Sequence, residues 1–465
     1  MGLWGPDASA SAEEGWHSSD LESNDDVVSK VYSSDDIGQI DARRWSAAIK
    51  WISTVIISSI AALVSFAGAI DSQAASKISS EFGISEEAET LATAMFLFGF
   101  AFGALVTGPV SETFGRNAVY VTSLVVFIVC VVITGCSHSL AVQSIFRFFS
   151  IGVCWGSLSD LWTTTQQVYV FPVFSVISFV GSATGPLVGG YIAQSELSWR
   201  WVDWVTALAA GFFLATVVLF LPETFRPVLQ QVKGREIQRV AGTDKHNGSS
   251  EEERKTSLAM QILLGMWRPF YLTVYEPIVV VCALYLSIIY VILFTWLNGF
   301  EYIFADTYSF SKGQVGLCFI AMFVGNCCAI PLIPVIYRIY IKALHRAQQR
   351  NESSKNEADA NPESAKPPPE IHLYYAMFGA PLSLSPSSGW HCYGIWSASA
   401  LSSVNFVRCL SAGGMMLASM PLYENLGVKW SLTLLGAASA VMVPVPVAFY
   451  KWGYVIRRKS KNALA

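Results

Sequence analysis

Two cations stand where a membrane protein has little reason to keep them. Arg147 is flanked by Phe146 and Phe148 in one apolar run, and Arg408 lies among Phe406, Val407 and Leu410 in another. A charge facing lipid is costly, so Arg408 is expected to face protein or a water-filled cavity. Two readings stand for Arg147: a functional, cavity-facing cation, or a structural charge that is salt-bridged or snorkels to the interface. Asp71 ends an early apolar run and Glu301 follows a later one. Acids at such places can attract a cationic solute or exchange protons; they can also be ordinary solvated loop acids. Asn298 and Asn326 suit either a hydrogen bond to a solute or one between helices. Asp160 reads chiefly as an interfacial acid.

A polar hairpin, Gly108-Pro-Val-Ser-Glu-Thr-Phe-Gly-Arg-Asn117, separates the apolar runs Thr90–Thr107 and Ala118–Gly135. So short a connection makes its two flanking spans antiparallel. Gly108 and Gly115 allow a sharp turn, and Glu112 and Arg116 are spaced to cap and pair with helix ends.

Other chemistry finds no pattern. The sequence lacks the phosphate-binding G-x-x-x-x-G-K-[ST] and the hydrolase patterns G-x-S-x-G and H-E-x-x-H, so an enzyme or ATP-driven pump is not expected. His138, His372 and His391 show no metal-ligand spacing. The nine cysteines have no C-x-x-C spacing and fall mostly inside apolar runs. Basic loops are too dispersed to bind nucleic acid; they set topology and touch anionic lipid.

The elements that must hold these residues are membrane helices. The chain has 465 residues, 53% of them hydrophobic and 14% charged. Its mean hydropathy is +0.44. A soluble protein of this size cannot hide so much apolar surface, so an integral membrane protein is expected. Residues 1–49 form an acidic tail that should be disordered: residues 1–42 hold ten acidic side chains against Lys30 alone. Spans are expected at Trp51–Ile70, Leu91–Thr107, Ala118–Gly135, Leu140–Leu161, Val168–Ala193 and Val202–Leu221, then Tyr275–Leu297, Gly316–Tyr337, Ala398–Met420 and Trp430–Tyr450. Polar stretches divide the chain into six spans over 50–221, a linker over 222–274, further spans over 275–450 interrupted by a loop at 338–371, and a basic tail over 451–465; the resemblance given below makes these a six-helix bundle and a second, incomplete bundle.

Arg43, Arg44 and Lys50 precede the first span, and both long loops and the tail are basic. The positive-inside rule therefore puts both termini in the cytoplasm, which requires even span counts between them. Segment 372–397, with Pro381, Pro386, Gly389 and His391, makes a poor span. Parity favours ten full spans, with this segment re-entrant, interfacial or poorly folded.

These residues resemble the fungal drug:proton antiporter branch of the major facilitator superfamily over roughly residues 50–455. Gly108, Glu112, Gly115 and Arg116 fit that superfamily's hairpin motif G-x-x-x-D-R-x-G-R-R, with Glu112 for Asp and Asn117 departing from the last basic position. Gly181-Ser-Ala-Thr-Gly185-Pro186-Leu-Val-Gly189-Gly190 looks like the antiporter signature G-x-x-x-G-P-x-x-G-G. Glycines at i, i+4 and i+8 make a flat helix-packing stripe, and Pro186 bends the span. Ser198-Trp-Arg-Trp-Val202, Leu221-Pro-Glu-Thr-Phe-Arg-Pro227 and Phe406-Val-Arg-Cys-Leu-Ser-Ala-Gly-Gly-Met415 also look like this branch.

The resemblance implies an all-α, two-bundle fold with about ten clear spans of an ancestral twelve. It also implies proton-coupled export of drugs, polyamines or other organic solutes by a monomer in the plasma or vacuolar membrane. The partners are then a small organic solute, protons and the bilayer; the proton gradient drives transport and no cofactor is needed. Arg147 matches an arginine linked to proton coupling, and Asp71 and Glu301 fall at equivalent ends of corresponding spans. The hairpin residues would gate. Family members carry a further stretch between Leu382 and Ala398, long enough to complete a ninth span and a tenth, which implies an internal deletion here.

Overall fold

The computed structural model describes residues 42–150, 157–225, 228–229, 265–328, 330–354, 397–448 and 451. The acidic tail before residue 42 and segment 372–396 therefore lie outside the described residues.

The first membrane helix, α1 (Ala47–Ala67), starts at Ser46, whose Oγ accepts a hydrogen bond from Ile49 N. A 3-10 turn, Ile70–Gln73, extends it, and the short α2 (Ala75–Phe82) crosses to α3 (Glu86–Phe114). Glu86, Glu87 and Glu89 in the first turn of α3 suit the positive end of its dipole. Then follow α4 (Arg116–Gly135), the short α5 (Leu140–Phe149) and α6 (Ser157–Leu161), and α7 (Thr164–Gln194), whose start is fixed by a Thr163–Gln166 capping box. Helix α8 (Trp201–Phe220) closes the first half.

In the second half, α9 (Pro277–Phe300) begins with proline at a first-turn position, where its missing N–H costs nothing. It runs into a π-helical turn, Glu301–Thr307. Three helices, α10 (Lys312–Cys318), α11 (Ile320–Cys327) and α12 (Leu332–Ser354), follow, and then α13 (Ser397–Met442), with a further helical stretch over 444–448.

By length and composition, eight helices among the described residues can cross a membrane. Ten were expected; one of them falls partly on residues outside the description, and two others lie within a single kinked element. The expected span Leu140–Leu161 is represented by a ten-residue helix and, past residues 151–156 that lie outside the description, by five-residue α6. Ten residues rise only about 15 Å, half a bilayer core. The last two expected spans run together as the 46 residues of α13, a rise of roughly 70 Å if straight. It is not straight. Gly427 adopts φ 71°, and Ser431 Oγ donates to Leu422 O across nine residues, a contact only a reversal of direction allows.

The helices form two packed groups. Ile57 and Ile60 of α1, Tyr120 and Leu124 of α4, Leu161 of α6, Val170 of α7 and Val217 of α8 share one buried core. In the other half, α9 packs chiefly on α13. The halves meet along two seams, α3 against α13 and α7 against α10 and α11. The outward face of α8 exposes Leu208, Phe212 and Leu219, as a surface bathed in lipid must.

Candidate functional site

The charged hairpin is tighter than its sequence suggests. A ten-residue polar turn was expected, but α3 stays helical through Pro109 to Phe114 and α4 starts at Arg116. The reversal is made at Gly115 alone, with φ 97° and ψ 159°, a region L-residues avoid. This leaves the first amides of α4 bare, and Glu223 fills the gap. Its Oε1 accepts from Arg116 N at 2.9 Å and its Oε2 from Asn117 N at 3.0 Å. A side chain at Gly115 would strike the same carboxylate, its Cβ lying 2.6 Å from Oε2. Asn117 Nδ2 donates to Leu221 O at 2.9 Å. The Leu221-Pro-Glu-Thr segment thus clasps the hairpin.

Arg116 Nε reaches Asp160 Oδ2 at 2.9 Å, one guanidinium nitrogen donates to Ser111 Oγ, and the cation lies 5.0 Å from the Phe225 ring centroid. Asp160 is therefore an ion-pair partner, where an interfacial acid was the leading expectation. The Glu112 side chain lies outside the described residues.

At the other end of the first half, charges converge in the interior. Arg147 on α5 approaches Asp71 Oδ1 at 2.8 Å through Nη2, and Glu89 Oε1 at 3.4 Å through Nη1. Thr93 Oγ1 is 3.3 Å from Nη1 and donates to Glu89 at 3.4 Å. The Asp71 contact is close in charge but poorly aligned as a hydrogen bond, since neither atom meets hydrogen-bond geometry. Asp203, at the start of α8, also acts electrostatically on Arg147. All four are at least 93% buried. Gln143 and Gln73 are fully buried nearby in chain terms, each with both amide atoms lacking a hydrogen-bond partner. Two carboxylates, Asp71 and Glu89, contact this guanidinium and Asp203 acts on it electrostatically, so the acids outnumber that cation, while Arg200 also acts on Asp203.

A cavity of about 60 Å³ opens beside this cluster, lined by Gln73, Glu89, Thr93, Pro186, Asn298 and Glu301 among others. A second, of about 100 Å³, shares Gly68, Ala69, Phe294 and Leu297 with it and reaches Arg408. The two lie between the halves. Glu301 pairs with Lys312 Nζ, so it is not simply a solvated loop acid. Asn298 Nδ2 donates to Ser419 Oγ at 3.0 Å, and Asn326 Nδ2 to Val176 O at 2.6 Å. Both asparagines thus bond helix to helix.

The glycine stripe of α7 touches backbone. A Cβ at Gly181 would run into Ala62 O, one at Gly185 would sit 2.8 Å from Phe66 O, and one at Gly189 would meet Ile70 O. Three glycines therefore let α7 lie directly against α1, up to the turn that carries Asp71. Gly190 faces the other half, its Cβ 2.6 Å from Lys312 O, and Gly316 lies against Pro186.

Sequence reasoning singled out Asp71 and Arg147 but missed Glu89 and Asp203, which the fold brings to them. It also missed Glu223 as the hairpin's cap. Glu89 stands four residues before Thr93, on one helix face, and that spacing was the available signal.

Comparison with known proteins places this geometry. The family pattern MFS_1, Major Facilitator Superfamily, matches residues 52–343. The chain belongs to that superfamily. It is similar to the MFS-type transporter kojT of Aspergillus flavus, at 37% identity over 91% of this chain and 81% of that protein. Similarity extends to the citrinin biosynthesis cluster MFS transporter mrr1 of Monascus ruber, at 29% identity over 89% and 88%. Among solved structures, the proton:xylose symporter XylE matches with a TM-score of 0.56 at 14% identity, covering 88% of this chain and 96% of that one. This last likeness concerns the fold. The protein is a multi-pass membrane transporter of the major facilitator type.

Proposed function

We propose that this chain exports a small organic solute, a drug, polyamine or secreted metabolite, in exchange for protons. The observation that carries the reading is Arg147 held between Asp71 and Glu89 beside the cavity that separates the halves. One guanidinium balances one carboxylate, which leaves Asp203 and one other acid as places where a proton can ride. Protonation then weakens the Arg147 pairs that tie α1, α3 and α5 together. A rocking motion of the two halves can be coupled to that loosening.

The name of mrr1 supports a secreted metabolite as cargo over a polyamine. The basic residues Arg43, Arg44 and Lys50 support cytoplasmic termini and a cytoplasmic hairpin at Gly115, in a monomer of the plasma membrane.

The coupling role predicts that Arg147→Ala reaches the membrane yet loses efflux driven by a pH gradient. Efflux unchanged by that substitution rejects it. Under the alternative of a proton-independent carrier, efflux survives collapse of the gradient by a protonophore.

A further reading, a non-transporting relative shortened by an internal deletion, has its own support. The alignment with kojT spans 468 positions, more than this chain's 465 residues, while covering only 91% of them. The relative therefore carries residues absent here. Reconstitution with labelled solutes separates a silent protein from a carrier.

A further inference from the structure

Helix α12 has a face that its packing leaves open. Tyr337, Tyr340 and Ile341 rest against Val168, near the start of α7. Arg338, Lys342 and Arg346 follow one another at intervals of four residues, and all three are exposed. At 3.6 residues per turn, the two sets point to opposite sides of the helix. None of these three cations has a hydrogen-bond or ion-pair partner among the described residues. Their row rises about 12 Å along the axis, and like charges four residues apart repel one another. Exposed His345 borders the row. An anionic strand laid along this face would relieve the repulsion.

The foot of the row lies close to where the chain enters the fold. Tyr337, next to Arg338, has its ring centroid 5.3 Å from that of Tyr169, which is 6.1 Å from that of Trp51 on α1. Ala42, buried in the core of the first half, is the first described residue. Before it come ten carboxylates, from Asp7 to Asp41, against Lys30 alone. The 41 residues ahead of Ala42 have a coil reach of roughly 35 Å, enough to pass over the end of α7 to α12. Tethering gives such a segment a high effective concentration, so several weak exposed ion pairs suffice.

We propose that this acidic tail docks along Arg338, Lys342 and Arg346 of α12. The tail leaves from the first half and α12 belongs to the second, so the docked tail straps the halves together at this end. The docking stands apart from the identity of the solute and from proton coupling. Anionic lipid is the competing occupant. The tail is favoured because it departs beside the row and is covalently tied to it.

The test uses the full chain in phosphatidylcholine nanodiscs holding one copy each, treated with a water-soluble carbodiimide. The reagent takes up the water released as an amine and a neighbouring carboxylate condense to an amide. Mass spectrometry of the digest reads what Lys342 has joined. Links from Lys342 to carboxylates within residues 7–41 are expected, and their yield should fall roughly fivefold in high salt, where exposed pairs are screened. R338E/R346E keeps the Lys342 amine and should lower the yield by a similar factor. Links only outside residues 7–41, or none, overturn the proposal. So does a yield that salt leaves unchanged, or one that folded R338E/R346E leaves unchanged. Links that vanish when phosphatidylserine is added to the discs assign the row to lipid headgroups and overturn it as well. The salt and lipid comparisons use the unmodified chain, so they decide the matter even where the double variant does not fold.

Discussion

Glu223 shows how far a single carboxylate can reach. It belongs to the segment leaving α8, yet its oxygens accept the first two amides of α4 and those of Thr224 and Phe225. An acid at a helix start satisfies donors no backbone carbonyl can reach and opposes the positive end of the helix dipole. Replacing Glu223 by Ala removes that acceptor and should cost about 1 kcal/mol, in the range of a lost N-cap. A lowered unfolding midpoint in detergent checks this; a midpoint within error of the parent rejects the capping role. Nothing in the sequence tied residue 223 to residue 116, since the contact spans more than a hundred positions. Arg147 and Asp71, in contrast, were legible as charges in or beside apolar runs. Glu89 was hidden because Glu86, Glu87 and Glu89 together resemble a solvated acidic stretch, and only the helical turn sends one of them inward.

Among the elements, α7 follows its sequence closely. Its glycines recur at the helical period, and small residues at that spacing announce a close neighbour without saying which. The fold supplies the neighbour, α1, whose carbonyls at Ala62, Phe66 and Ile70 occupy the room three side chains would take. Gly185→Val should therefore force α1 and α7 apart and destabilise the first half by about 1–3 kcal/mol, the usual penalty of overpacking. Gly211 on α8 provides the control, because a Cβ there meets nothing within 4 Å. G185V is expected to lose its sharp elution peak in size-exclusion chromatography while G211V keeps it. Equal behaviour of the two would show that the stripe is not what seats the helices. Where the element was misjudged, at residues 108–114, the reason is plain: polar residues and a proline look like a turn, but Pro109 is accommodated within the helix.

For the whole molecule, the question is whether the halves move against one another. They touch where a Cβ on Gly108 of α3 would lie 3.4 Å from Ser402 Oγ of α13, and again where Gly313 N donates to Gln194 Oε1 at 3.1 Å. The first contact sits near the hairpin end, and the second lies toward the end that carries Asp71. A carrier that alternates must part these contacts in turn. Introducing G108C together with S402C should give a pair that oxidises readily and stops solute movement until reductant is added. Full activity in the oxidised protein would mean that the α3–α13 seam stays shut throughout the cycle. The two-half plan was implied by the resemblance to the superfamily, and the long polar segment after the sixth apolar run fits it. How the halves face each other was not, because helix period marks a buried face but not its occupant.

One helix, α7, leans on two neighbours at once. Its stripe rests on α1 within its own half, while Gly190 and Gln194 a turn further on meet the opposite half. In a protein whose halves rock, such a helix would serve as a shared axle, fixed in one bearing and turning in the other. Drift in its sequence is then confined to the side away from both, since bulk added on the first side loosens the frame and bulk added on the second jams the stroke.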